Sequence, residues 1–213
     1  MKPSHIQSIF FLGIGGIGMS ALARYFLHEG KDIFGYDRTP TSLTRELENQ
    51  GITIVYEDDI THLPQNTDLV IYTPAIPVSN NIRRHFESSK IPMLKRAEVL
   101  GLITSDKKTV AVAGTHGKTT ISSIIAHILK SAGKDMTVLV GGICKDYESN
   151  FIRHGSGDIF VVEADEYDRS FLQLKPDLAI VSSMDADHLD IYESKNELIE
   201  SFELFLKGVK PMG

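Results

Sequence analysis

Short apolar runs alternate along the chain with stretches in which apolar positions recur at helical spacing. Residues 6–12 form one such run and predict a buried strand. Met19, Leu22, Ala23, Phe26 and Leu27 then share one helical face, with Gly30 as a stop. Residues 32–36 predict a second strand, and Ser42 is placed to cap a short helix that carries Leu43 and Leu47 and ends at Gly51. Further strands are expected at 52–55, 69–73 and 91–94, and helices at 80–89 and 96–103. At Thr104-Ser105-Asp106-Lys107-Lys108 the chain turns polar, which marks a linker, and the pattern then restarts. A strand at 109–113 leads through a glycine-containing loop into a helix at 118–132. Strands at 136–140, 158–163 and 177–182 follow, then a helix at 195–207. Such alternation predicts an α/β fold, with mostly parallel sheets covered by helices on both faces. Two domains are expected, residues 1–106 and 107–213. The second has about four strands and stops just after a helix, as an incomplete domain would.

Hydrophobic residues make up 42% of the 213 and charged residues 23%, enough to bury a core in each half. The net charge of −6 argues against a duplex nucleic-acid partner, which calls for a basic face, but not against nucleotides, which are held by local devices. No apolar run approaches the ~20 residues of a membrane helix. The start, Met1-Lys2-Pro3-Ser4-His5, is too short and polar for a secretory leader. The single cysteine, Cys144, excludes a disulfide framework within the chain and fits a reducing cytoplasm.

Two glycine loops carry the chemistry. Gly13-Ile14-Gly15-Gly16-Ile17-Gly18 follows a predicted strand and opens a predicted helix. Glycines there permit a tight turn and let backbone approach a diphosphate, while the helix N-terminus offers unpaired N–H donors and partial positive charge. Asp37 ends the next strand, where an acid commonly meets a ribose or base. The plain alternative is a glycine turn without a ligand, and the motif alone does not separate NAD from other diphosphates. The second loop, Gly114-Thr115-His116-Gly117-Lys118-Thr119-Thr120, is a stronger signal. Its backbone would cradle phosphate, Lys118 would reach the β- and γ-phosphates, and the Thr119 hydroxyl would ligate Mg²⁺. With Val112 where a glycine or alanine is usual, it is the shorter Gly-x-x-Gly-Lys-Thr form; the alternative is a strand-to-helix turn with a surface lysine.

Downstream, a strand ends in Glu163-Ala164-Asp165-Glu166-Tyr167-Asp168. A carboxylate at a strand end beside a phosphate loop is where Mg²⁺ is held, and Glu163, first after the apolar run, is best placed for it. Glu166 is read as solvated, as most residues of a charge run are. The next strand ends in Asp185-Ala186-Asp187-His188, where His188 suits equally a second metal or a structural role.

Taken together, the glycine loops, Glu163-Ala164-Asp165-Glu166-Tyr167-Asp168-Arg169-Ser170-Phe171-Leu172 and Asp185-Ala186-Asp187-His188 resemble the Mur ligases, and within them the alanine-adding branch. The resemblance covers nearly the whole chain. It implies a Rossmann-like N-terminal domain that holds UDP-N-acetylmuramate rather than NAD, followed by part of a P-loop-type central ATPase domain. Gly13, Gly15, Gly16, Ile17 and Gly18 would contact the diphosphate; Asp37, Thr73, Ala75 and Ile76 would lie near the uridine. Gly114, Thr115, His116, Gly117, Lys118, Thr119 and Thr120 would bind ATP. Thr119 and Glu163 would hold one Mg²⁺ (or Mn²⁺), and Glu163 with His188 a second. Lys118, Glu163 and His188 would then serve the ATP-dependent joining of L-alanine to the lactyl carboxylate. It further implies that an amino-acid-binding domain and adenine contacts lie beyond Gly213, so that this chain would bind without turnover. Two details depart from family patterns: Thr73-Pro74-Ala75-Ile76-Pro77 differs from the usual Ser-Ser-Ala-Ile, and Ser201-Phe202-Glu203-Leu204-Phe205 lacks the modified lysine of some relatives. Three other readings stand beside it: a stand-alone nucleotide-binding or sensor module, an NAD-dependent oxidoreductase using the first loop, and the ligase that recycles the murein tripeptide.

Overall fold

A computed structural model describes residues 6–144, 147–185, 192 and 194–211. The chain divides into two compact units, Met1–Val99 and Leu100–Gly213. In the first, strands β1 (Ser8–Leu12), β2 (Asp32–Tyr36), β3 (Thr53–Val55), β4 (Leu69–Tyr72) and β5 (Met93–Lys95) form one sheet of order β3-β2-β1-β4-β5. Every pairing in it is parallel. β1 lies at the centre and is buried along its length, which is why its sequence is a continuous apolar run and does not alternate. Phe10 and Leu12 pack with Tyr36, Val70, Ile82 and Phe86, the Phe10 and Phe86 rings lying 5.0 Å apart. Burying each such side chain stabilises the fold by roughly 1.5–3 kcal/mol.

Helices α1 (Ile17–His28), α2 (Ser42–Asn49), α3 (Asn81–Ser88) and α4 (Arg96–Thr104) connect these strands and continue past them. The cap of α2 is Thr41, not the expected Ser42. Thr41 has extended backbone, its hydroxyl accepts from the Thr44 N–H at 3.2 Å, and the Thr44 hydroxyl accepts from the Thr41 N–H at 2.8 Å. That reciprocal pair takes a residue outside the helix, and Ser42 is already helical.

The second unit contains β6 (Lys108–Ala113), α5 (Lys118–Ser131), β7 (Met136–Cys144), β8 (Ser149–His154), β9 (Ile159–Glu163), β10 (Leu178–Val181) and α6 (Lys195–Lys207), with a 3-10 segment at Tyr167–Gln173. Its sheet order is β10-β6-β9-β7-β8. β6 pairs in parallel with β9 and β10, and β7 in parallel with β9, but β8 runs antiparallel to β7. The sheet is therefore mixed, with one strand more than the apolar pattern predicts. Ser149-Asn150-Phe151-Ile152-Arg153-His154 alternates too weakly to be seen as a strand, and a sheet edge tolerates that. Phe171 stacks on Phe205 at 5.0 Å and meets Phe202 edge-on at 5.3 Å, which docks the 3-10 segment against α6.

Candidate functional site

In the first unit the chain order reverses beside β1. β2 and β3 lie on one side, and β4 and β5 on the other. Such a switch point opens a crevice at the carboxyl ends of the strands, and the first glycine loop lies there. Gly13 has a φ of +87°, which side chains rarely adopt, and a Cβ on it would meet the Thr73 methyl at 2.6 Å. The Gly13 and Ile14 N–H groups donate to the Tyr36 carbonyl at 2.8 and 3.1 Å. Ile14 itself is buried. Gly16 caps α1 without a side-chain hydrogen bond, no acidic residue stands in the first turn, and Gly16 and Ile17 are exposed. The helix start is thus open to an anion. Asp37 accepts from the Gly15 N–H at 2.8 Å, so its carboxylate pins the loop. Across the switch point, the Thr73 N–H donates to the Leu12 carbonyl and Ile76 turns back onto the Thr73 carbonyl, bringing Thr73, Ala75 and Ile76 to the same end of the sheet. One residue here escaped the sequence reading: Arg96, whose guanidinium would lie 2.7 Å from a Cβ on Gly18.

In the second unit, β6 holds the equivalent position between β9 and β10, and the second loop follows it. Gly114 has φ +126°, and a Cβ there would run into the Ser182 hydroxyl. The loop is tied to the end of β10. The Thr115 N–H donates to the Ser183 carbonyl at 3.1 Å, the Thr115 and Ser183 hydroxyls are 2.9 Å apart, and the His116 N–H donates to the Ser183 hydroxyl at 3.0 Å. Ser182 donates to the His116 carbonyl. His116 thus acts through its backbone in shaping the loop. Gly117, left-handed at φ +81°, opens α5 without a side-chain cap.

The Lys118 ammonium makes three bonds, to the Gly114 carbonyl at 2.7 Å and to both Glu166 oxygens at 2.9 and 2.8 Å. Glu166 is fully buried, so its expected place in solvent is corrected. A carboxylate in a charge run becomes buried when a cation reaches it, and here that cation comes from 48 residues earlier. Glu163 stands at the end of β9, opposite Val112 of β6. Its Oε2 accepts from the Gly141 N–H at 2.8 Å, while Oε1 is buried without a hydrogen-bond partner. Burial pushes the Glu163 carboxyl above the usual range; the Thr119 hydroxyl, the Gly141 N–H and the Lys118 charge pull the other way.

Gly141 and Gly142 also escaped the sequence reading. They lie where the β7–β8 register shifts, between Leu139 and Cys144. A Cβ on Gly141 would meet Glu163 Oε2 at 2.7 Å, and one on Gly142 would meet Thr119 at 3.1 Å. The irregularity therefore lets Glu163 and Thr119 approach the same strand. An orphaned carboxylate oxygen beside a threonine hydroxyl suits Mg²⁺, which takes one or two carboxylates and fills its octahedron with water and phosphate. Among the described residues no three His, Cys, Asp or Glu side chains are grouped as a self-sufficient metal cage. His188, with Ala186 and Asp187, lies outside the described residues. No helix among them is long and apolar enough to cross a membrane.

Comparison with known proteins matches residues 8–108 to the Mur ligase family catalytic domain and residues 112–213 to the Mur ligase middle domain. The chain is 53% identical over 214 aligned residues to the UDP-N-acetylmuramate–L-alanine ligase of Flavobacterium johnsoniae, covering 99% of this chain and 47% of that protein. It is 50% identical to the ligase of the same name from Christiangramia forsetii, covering 99% and 48%. It superimposes on the crystal structure of UDP-N-acetylmuramate-alanine ligase from Thermotoga maritima with a TM-score of 0.87 at 33% identity, covering 96% of this chain and 48% of that one. On the UDP-N-acetylmuramate:L-alanyl-gamma-D-glutamyl-meso-diaminopimelate ligase from Neisseria meningitides the TM-score is 0.89 at 24% identity, a likeness of fold. The chain spans about half the length of the curated relatives it matches.

Proposed function

The chain belongs to the Mur ligase family, and from that premise we propose that it provides the two nucleotide-binding units of a UDP-N-acetylmuramate–L-alanine ligase in peptidoglycan precursor synthesis. Support comes from relatives of that name at 53% and 50% identity along 99% of the chain, whereas the tripeptide ligase shares only the fold. The observation that carries the reading is that the second unit holds both Lys118, in a phosphate loop, and an orphaned Glu163 oxygen beside Thr119.

In this reading the open start of α1 takes the diphosphate of UDP-N-acetylmuramate, with Asp37, Thr73, Ala75 and Ile76 toward the nucleoside. Residues 114–120 take the triphosphate of ATP. The lactyl carboxylate attacks the γ-phosphorus, the bond to the β-bridging oxygen breaks, and ADP leaves with that electron pair. The amine of L-alanine then attacks the acyl phosphate carbonyl, phosphate departs, and an amide forms. A carboxylate and a triphosphate repel each other, so this chain's task is alignment and neutralisation. Lys118 holds a proton-rich donor group at the phosphates, and the loop amides hold their orientation. Mg²⁺, held by Thr119 and Glu163, would spread the developing charge; His188 is assigned to a second cation. The setting is cytoplasmic, where both nucleotides are made.

Calorimetric titration of the chain with UDP-N-acetylmuramate, Mg-ATP and NADH tests the reading. Saturable binding of the first two is expected, and a preference for NADH would overturn it.

A further inference from the structure

Lys118 is shared between a neutral acceptor on the loop, the Gly114 carbonyl, and a charged one beneath it, Glu166. Its side chain retains 18% exposure; that of Glu166 retains none. An arriving phosphate must take at least one of the three ammonium protons. The two sources differ greatly in cost. Releasing the Gly114 carbonyl gives up a single bond to a neutral acceptor. Releasing Glu166 gives up two charge-assisted bonds to a fully buried carboxylate, the larger loss.

Glu166 is also fixed from behind. Its backbone carbonyl accepts from the Tyr192 hydroxyl at 2.6 Å and from the Arg169 N–H at 3.0 Å. Tyr192 is itself fully buried, and the Arg169 guanidinium lies over its ring at 5.8 Å. Arg169 in turn pairs with Glu197 on α6 and holds a left-handed backbone, φ +54°, in the middle of the 3-10 segment. A non-glycine residue keeps that conformation only where its surroundings determine it. The carboxylate therefore sits on a rigid base while the ammonium sits on a flexible stem.

We infer that Glu166 is the positioning residue of the phosphate loop: Lys118 pivots on it, keeps both carboxylate bonds, and turns the proton now on Gly114 toward the terminal phosphates. This deepens the ATP assignment above and rests on it. A consequence is that Lys118 and Glu166 together carry no net charge, so the lysine acts as an aimed donor more than as a free cation. Attraction for the triphosphate must then come from the loop amides and the bound divalent cation.

The test is titration of the chain with Mg-ATP, Mg-tripolyphosphate and UDP-N-acetylmuramate, for wild type, Glu166→Gln, Glu166→Asp, Lys118→Ala and Lys118→Ala/Glu166→Gln. Glutamine keeps the shape and one acceptor but removes the charge. Affinity for both polyphosphates should fall about tenfold, the loss of one aimed charge-assisted bond, with UDP-sugar affinity unchanged. Aspartate should restore part of the loss. In the Lys118→Ala background the second change should remove nothing more, which a merely structural role would not produce. Glu166→Gln adds one positive charge to the site, so simple attraction predicts tighter binding. Equal or tighter polyphosphate binding would overturn the inference and leave the ATP reading intact. Failure of the wild-type chain to bind either polyphosphate would overturn both. Should the glutamine variant not fold, the aspartate variant decides: affinity equal to wild type counts against positioning.

Discussion

The two units are built alike at one end of their sheets and unlike at the other. At the amino ends, Asp68 just before β4 and Asp177 just before β10 make the same pair of bonds to the strand that leads into the glycine loop, β1 in one unit and β6 in the other. Asp68 donates its N–H to the Ser8 carbonyl and accepts the Ser8 N–H on its carboxylate, both at 2.9 Å. Asp177 does the same with Thr109, both at 2.8 Å. At the carboxyl ends the loops diverge. In the first, a carboxylate, Asp37, bonds directly to a loop amide. In the second, the carboxylates bond a lysine or keep an oxygen orphaned, and the loop is tied to Ser182 and Ser183. A diphosphate that is only held needs backbone donors and shape. A triphosphate that reacts needs aimed charge. The common ends are scaffold, and the divergent ends are where the proposed ligands would be held.

The sharpest way to break that comparison is Lys118→Ala. It removes charge-assisted bonds worth roughly 1.5–3 kcal/mol each, so ATP affinity should fall about 100-fold by calorimetry. It also takes two charge-assisted bonds from the buried Glu166 carboxylate, so chemical denaturation should show a loss of about 3–5 kcal/mol in the second unit, much of it recovered by adding Glu166→Gln. Binding of UDP-N-acetylmuramate should stay within about twofold, because changes without shared partners add independently. Parallel loss of UDP-sugar binding would show that the two loops do not divide the labour.

A crossed pair of substitutions comes next. Gly13→Ala forces a side chain into left-handed backbone and against the Thr73 methyl. Gly114→Ala does so against the Ser182 hydroxyl. Each should cost about 1–3 kcal/mol in strain. Gly13→Ala should weaken the UDP-sugar and spare ATP, and Gly114→Ala the reverse. A smaller effect is expected for Tyr192→Phe, which deletes one bond to the Glu166 carbonyl. Stability should drop by about 1 kcal/mol, and polyphosphate affinity should fall while UDP-sugar affinity does not.

Much of this contrast is legible in the sequence. Both strand–glycine–helix openings read directly from apolar runs that stop at glycine, since buried parallel strands leave no polar positions to confuse the pattern. The bounds of β2 and α6 also agree with their periodicity. What escaped depends on distant partners. The burial of Glu166 needs Lys118, the tie of the loop needs Ser183, and the role of Gly141 needs Glu163. Each is a contact across the sheet between segments that no local period connects. β8 was missed because an edge strand need not be apolar on either face. Nothing local marks Asp68 and Asp177, and only the register of their neighbours gives them the same task.

Those two aspartates offer the finest test of the likeness. Backbone N–H donors hold both carboxyls below the usual range: Ser8 and Gln7 for Asp68, and Thr109, with Lys210 adding to it, for Asp177. A carboxyl whose pKa is lowered by folding contributes stability that is fully present above its unfolded value, near 3.8, and is lost as pH falls through the lower folded value. Both groups are solvent-accessible, so Asp68→Asn and Asp177→Asn should each cost only about 0.5 kcal/mol at pH 7 after screening. That cost should shrink as the pH of the unfolding experiment is taken well below 3.8, where the wild-type carboxyls are protonated too. Neither substitution touches a loop, so both ligands should bind as in wild type. If Asp68→Asn shows this pH dependence and Asp177→Asn does not, the shared pair of bonds is only a likeness of geometry.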